Sequence, residues 1–290
     1  MASTKEPKII IGCMSWGAWG KRLSQSEQTR LIESCVENGN TTFDHADIYG
    51  DYTTEAEFGL AFRQSNVSRD QIELITKCGI QYDGKSRNNS IKHYDYSKDY
   101  IIWSAEESLK NLGTDYLDTF LLHRPSPLMH PDEIAEAITH LLESGKIKEF
   151  GVSNFTPSQV SLVSGKVNIS VNQVEFSLTQ HSAMEDGTFD YLLQNGIRAM
   201  SWSPLGSVFK KDDELSQRVK KILASLTDKY QTTEDVLLLA WILKHPIKVS
   251  PVIGTTNRER IKNSSRALEL ELELEDWFEL LKASQGRKVP

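Results

Sequence analysis

The sequence predicts an α/β chain of the (β/α)8, or TIM-barrel, class. Short apolar runs alternate with longer amphipathic stretches from one end of the 290 residues to the other. Several of the runs are almost continuously apolar, as strands buried on both faces of a parallel sheet must be. Gly12, Gly17 and Gly20 lack the G-x-G-x-x-G spacing that an open, doubly wound dinucleotide-binding sheet places after its first strand. A barrel of this class commonly takes about 250 residues. No Pro/Ser-rich linker divides the chain, so residues 1–290 are expected to form one domain.

The expected strands are Lys8–Met14, Thr41–His45, Ile72–Cys78, Leu117–His123, Glu149–Ser153, Ile169–Glu175, Ile197–Trp202 and Val249–Gly254. Helices are expected between them. Ser24–Asn38 opens on a Ser24/Glu27 capping box and stops at Gly39. Glu55–Arg63 follows the second strand, and Lys98–Asn111 ends at Gly113. Pro131–Ser144 and Thr156–Val163 each carry proline in the first turn, where its missing N–H costs nothing. Phe189–Asn195, Glu214–Tyr230 and Thr233–Lys244 precede the last strand; Arg258–Arg266 and Glu273–Ala283 follow it. The polar, Tyr-rich stretch Gly79–Ser97 is expected to be a long loop, of the kind that is more often functional than a boundary.

Composition removes several classes. Lys+Arg number 33 and Asp+Glu 40, a net charge of −7 with no basic stripe, which argues against nucleic-acid binding. No apolar run reaches the roughly 18 residues of a membrane span, and MASTKEPKIIIG lacks a secretory apolar core. Cys13, Cys35 and Cys78 form no C-x-x-C, so neither a zinc site nor a redox dithiol is expected. Reduced thiols suit a cytoplasmic chain.

In such barrels, reactive groups sit where strands end. Asp44 and Tyr49 follow the second strand, Lys77 ends the third and His123 the fourth. Each alone has an ordinary structural use, but their order places them to converge. A phenol is a poor acid near neutrality, and a nearby ammonium should lower its pKa. That ammonium needs an anion, and Asp44 is available. The histidine can orient a substrate oxygen. Together they suit proton donation to an oxygen gaining negative charge, as in carbonyl reduction.

Asp44-His45-Ala46-Asp47-Ile48-Tyr49-Gly50, followed by Lys77 and His123, resembles the catalytic tetrad of the aldo-keto reductases. Lys148–Phe155, Val171–Glu175, Ser203–Gly206 and Pro251–Asn257 with Arg260 extend the resemblance over nearly the whole chain. It is nearest to a bacterial subgroup of poorly characterised oxidoreductases. The resemblance implies an NADPH-dependent reductase of small carbonyl compounds that binds its cofactor without a Rossmann domain. Ser153, Asn154 and Gln173 would hold the nicotinamide carboxamide, and Trp202 would stack on the ring where most members have Tyr. Ser15, Ser203, Leu205, Gly206 and Thr255 would lie along the cofactor, and Arg260 would meet the 2′-phosphate. Many members carry Lys where Gly254 stands, which leaves room for some NADH use. Trp16 and Arg124 would line the substrate pocket. Trp19, Tyr82, Tyr94, Tyr96 and the loop Arg124–Pro131 are further candidates.

The resemblance also admits a regulatory, NADP(H)-binding subunit with slow turnover, although the complete tetrad favours an enzyme. A metal- or phosphate-dependent lyase or epimerase barrel is a weaker option. Substrate identity stays open, as does oligomeric state between monomer and weak homo-oligomer.

Overall fold

A computed structural model describes residues 7–288. The apolar runs form eight parallel strands that close into a barrel in chain order. They are β1 (Ile10–Gly12), β2 (Thr42–Asp44), β3 (Glu73–Cys78), β4 (Leu117–Leu122), β5 (Ile147–Ser153), β6 (Val171–Glu175), β7 (Arg198–Trp202) and β8 (Ser250–Ile253). By packing, the chain falls into two compact units: residues 10–172 with 254–258, and residues 7–9, 173–253 and 259–288.

In the first unit, register does the positioning. Asp44 lies opposite Ile75. Lys77 is two residues further along β3, and side chains two apart on a strand share a face. Lys77 in turn lies opposite Leu121, two residues before His123. Helix ends follow the signals in the sequence. Gln25–Glu37 begins with the reciprocal Ser24/Glu27 box, and Gly39 beyond its end has φ +78°. Lys98–Leu112 is capped by Ser97 and ends at left-handed Gly113. Pro157–Ser164 carries a second box, Thr156 with Gln159.

In the second unit, Glu234–Leu243 is buried over nearly all of its length, which explains its lack of a polar face. Trp241 stacks on Trp277 with ring centroids 4.9 Å apart, and each indole N–H donates to the other's carbonyl at 3.1 and 2.9 Å.

Several boundaries differ from the expected ones. β1 stops at Gly12 because the chain turns back at once, with Trp16 N–H on the Cys13 carbonyl and Lys21 N–H on that of Ser15. β5 starts two residues early, since Ile147 pairs with Leu117. The stretch 79–97 is a loop but an ordered one: Ile80–Gln81 and His93–Tyr94 pair as an antiparallel hairpin. Arg258–Ser264 is helical and then tightens into a 3-10 turn, Ser265–Leu268. Among the described residues no helix is long and apolar enough to cross a membrane.

Candidate active site

Lys77 is the centre of the site. Its ammonium is buried and has three protons to place. It donates to Asp44 Oδ2 at 2.7 Å, to the His45 carbonyl at 2.8 Å and to Tyr49 Oη at 3.2 Å. All three donors are therefore used. The His123 ring meets Tyr49 edge-on, with centroids 6.0 Å apart. The four residues named from their strand positions do converge.

The electrostatics correct one expectation. Burial raises the Tyr49 phenol above its ordinary value of 10, and the opposing pull of Lys77 does not overcome it. The protonated phenol is thus the resting form. Burial alone would lower the Lys77 ammonium, but Asp44 and then Tyr49 outweigh it, and the net shift is upward. Burial, then Lys77, Arg124 and Lys92, hold His123 well below the ordinary 6.5, so its imidazole is neutral.

Tyr49 is reached through an unusual backbone. Gly50, Asp51 and Tyr52 all have positive φ, at 63°, 60° and 67°. Left-handed backbone costs a non-glycine residue about 1–2 kcal/mol. Strain of this kind concentrates at functional sites.

The aromatic candidates separate. Trp19 is exposed and lies 6.3 Å from Tyr49 and 5.3 Å from Tyr82 between ring centroids, while Tyr94 packs into the same cluster. Trp16 is instead fully buried, edge-on to Phe43 and tilted against Phe58. Its ring thus packs with the core aromatics. Tyr96 is also buried: its hydroxyl donates to the Arg124 carbonyl at 2.5 Å and accepts the Arg124 N–H at 3.1 Å. It pins the backbone after His123. Arg124 itself is half-buried, and its charge helps keep His123 neutral. Among the described residues no group of three or more His, Cys, Asp or Glu is placed to hold a metal ion.

The sequence model of the Aldo/keto reductase family matches residues 8–284. The chain belongs to that family. It is 40% identical over 289 residues to an uncharacterized oxidoreductase, YcsN, of Bacillus subtilis, covering 98% of this chain and 96% of the relative. It is 38% identical to a 6-dehydroglucose reductase of Agrobacterium fabrum, covering 97% of each. A solved aldo/keto reductase from Klebsiella pneumoniae, in complex with NADP and acetate, superposes with a TM-score of 0.79 at 25% identity, covering 98% of this chain and 93% of that one. These relatives agree with a bacterial oxidoreductase subgroup.

Most of the remaining residues carried over from the aldo/keto reductases stand on strand ends and the loops after them, with Gln173 inside a strand and Arg260 on a helix. In the first unit, Ser153 ends β5 and Asn154 follows with φ 63°. Asn154 Nδ2 donates to Ser153 Oγ at 2.8 Å and to the His123 carbonyl at 3.4 Å. Ser15 Oγ donates to the Gly254 carbonyl at 2.8 Å. Thr255 Oγ1 accepts the Asn257 N–H at 3.2 Å. A side chain added at exposed Gly254 would meet nothing within 4 Å, so packing does not demand glycine there. In the second unit, Gln173 is buried in β6, and Trp202 ends β7, half-buried. Ser203, Leu205 and Gly206 form the turn that follows, closed by Gly206 N–H on the Ser203 carbonyl at 2.8 Å. Arg260 is exposed on Arg258–Ser264.

Three further residues, Asp47, Glu55 and Arg87, have surroundings that only the fold reveals. Asp47 is buried inside the D-x-A-x-x-Y-G motif and accepts from Tyr100 and Ser104, each at 3.2 Å. Burial, then Glu55, raises its carboxyl to about 7. Glu55 is buried as well, with Thr76 donating to it at 2.5 Å. Arg87 sits in the polar loop, where only a three-dimensional contact distinguishes it from its neighbours.

Proposed function

We propose that this aldo/keto reductase converts aldehydes and ketones to alcohols with NADPH, Tyr49 supplying the proton. The observation that carries this reading is the Tyr49 hydroxyl held 3.2 Å from an ammonium whose other two donors are already fixed. As negative charge builds on the carbonyl oxygen, Tyr49 donates its proton there. Lys77, anchored by Asp44, stabilises the phenolate left behind. Neutral His123 orients the carbonyl oxygen beside Tyr49.

When bound, NADPH supplies the hydride. The donor set fits it: Ser153, Asn154 and Gln173 offer the hydroxyl and amide groups a carboxamide needs, and Trp202 offers a flat face. We assign the pyrophosphate to Ser203, Leu205 and Gly206, with Ser15 also along the cofactor, and we place Gly254 and Thr255 on the 2′-phosphate side. Arg260 is assigned the 2′-phosphate, which a guanidinium fork suits. A solved relative of 25% identity holds NADP, which supports the choice of cofactor. Buried, unpaired Cys13, Cys35 and Cys78 fit a reducing cytoplasm, where we place the protein. We also treat residues 1–290 as one domain, since both compact units contribute strands to one closed sheet.

The test is loss of NADPH absorbance with a panel of aldehydes, ketones and quinones. A sugar aldehyde belongs in it, because one relative is a 6-dehydroglucose reductase. Turnover of at least one carbonyl compound is expected. Cofactor binding without turnover across the panel would overturn the reading.

A further inference from the structure

The strained residues after Tyr49 are gripped from outside their own segment. Asp51 Oδ2 accepts the N–H groups of Lys85 at 2.9 Å and Ser86 at 3.2 Å. Tyr52 Oη accepts the Tyr82 N–H at 2.8 Å and donates to the Ile80 carbonyl at 3.2 Å. The fit is close: a Cβ on Gly84 would stand 2.1 Å from Asp51 Oδ1, so a larger residue there would push the Asp51 carboxylate aside. The loop after β3 therefore holds the left-handed turn in place.

Arg87 fastens that loop. Its guanidinium lies 3.7 Å from the Tyr52 ring centroid. Its Nη1 donates to Gln81 Oε1 at 3.0 Å and to Tyr100 Oη at 2.9 Å, using both protons of that nitrogen. Tyr100 in turn donates to Asp47 at 3.2 Å. One side chain thus reaches the chain on both sides of Tyr49, at Tyr52 directly and at Asp47 through Tyr100. A lysine could supply the charge but not the flat face together with the fork.

We propose that Arg87 is a positioning residue for Tyr49: by clasping the 79–97 loop onto Tyr52 and Tyr100, it holds Gly50–Tyr52 in the backbone that aims the phenol at Lys77. The proposal rests on Tyr49 as proton donor. Its structural half, the grip on residues 50–53, stands independently. A residue serving only general stability would lower melting temperature, cofactor affinity and turnover together.

The experiment compares Arg87→Ala and Arg87→Lys with the wild-type full chain. Three quantities are read: kcat and KM for an aldehyde, NADPH affinity by tryptophan fluorescence, and amide exchange at Asp51, Tyr52 and Thr53. Those amides donate to Ile48, Ile48 and Tyr49 carbonyls at 3.1, 3.3 and 3.2 Å. In Arg87→Ala, kcat should fall about tenfold or more and the three amides should exchange about tenfold faster, with NADPH affinity unchanged. Arg87→Lys should lie between, and carries the test if the alanine variant does not fold. Unchanged exchange at the three amides would overturn the proposal, as would wild-type kcat or an equal loss of NADPH affinity. If the wild type itself reduces no carbonyl compound, the functional reading fails, while amide exchange still decides whether Arg87 grips the turn.

Discussion

Lys77 and Asp44 show what burial demands of a charge. With Lys77 removed, the Asp44 carboxylate keeps its low-dielectric surroundings and loses its counter-ion, which typically costs 3–5 kcal/mol. Lys77→Met should therefore lose turnover and unfold at markedly lower urea, and an unchanged midpoint would contradict the buried pair. Nearby, two groups titrate in opposite senses. His45 is buried against Phe58, with ring centroids 4.4 Å apart. Burial and then Lys77 lower it from 6.5 to about 3. The unfolded chain takes up a proton below 6.5 that the folded His45 refuses, so this term destabilises as pH falls. Asp47 runs the other way: raised from 3.8 to about 7, it keeps a proton that the unfolded chain has lost, and this term destabilises as pH rises. Between about pH 4 and 6.5 the two offset. Asp47→Asn should expose the histidine term, steepening the loss of stability on acidification by about 1.4 kcal/mol per pH unit. Parallel stability–pH curves for variant and wild type would refute this. Neutral His123 adds a kinetic expectation: kcat/KM should show no inflection near 6.5, and the alkaline decline should lie above the ordinary phenol value of 10.

At the scale of elements, the loop after β8 carries the next test. Gly254 has open space around it where many aldo-keto reductases carry lysine. Gly254→Lys should tighten NADPH about fivefold, the worth of roughly 1 kcal/mol for an exposed ion contact, and leave NADH unchanged. Arg260→Ala should weaken NADPH about 10- to 150-fold by removing a charged hydrogen bond worth about 1.5–3 kcal/mol. Dissociation constants for both cofactors, titrated by fluorescence, check the two variants, and equal wild-type constants would remove the basis for either. Elements of this kind were legible because their signals are local. The Ser24/Glu27 box, Gly113 and the apolar runs depend on neighbours a few positions away. The surroundings of Tyr96 and Trp16 were hidden for the opposite reason: an aromatic side chain looks the same in a core, a clasp or a pocket until its partners are known. Arg87 was illegible because its partners Tyr52 and Tyr100 come from different segments, and the loop between them has no periodicity.

For the molecule as a whole, alternation of strands and helices was enough to anticipate a closed parallel sheet, and strand order then placed Asp44, Tyr49, Lys77 and His123. What the sequence left hidden is the sign of the Tyr49 shift, because it depends on how completely the phenol is buried. If residues 1–290 act as one domain, urea unfolding should be a single transition, with far-ultraviolet dichroism and tryptophan fluorescence coincident. Two separated transitions would mean that the units given by packing unfold independently.

The central claim is that Tyr49 protonates a carbonyl reduced at the expense of NADPH. The most direct measurement is the rate of NADPH consumption with a good aldehyde in wild type and Tyr49→Phe, paired with NADPH binding to each. A single oxygen is removed, while the ring and its contacts stay. Turnover should fall by at least about 100-fold, as expected for loss of a general acid, with NADPH affinity unchanged. Near-normal turnover in Tyr49→Phe would contradict the account.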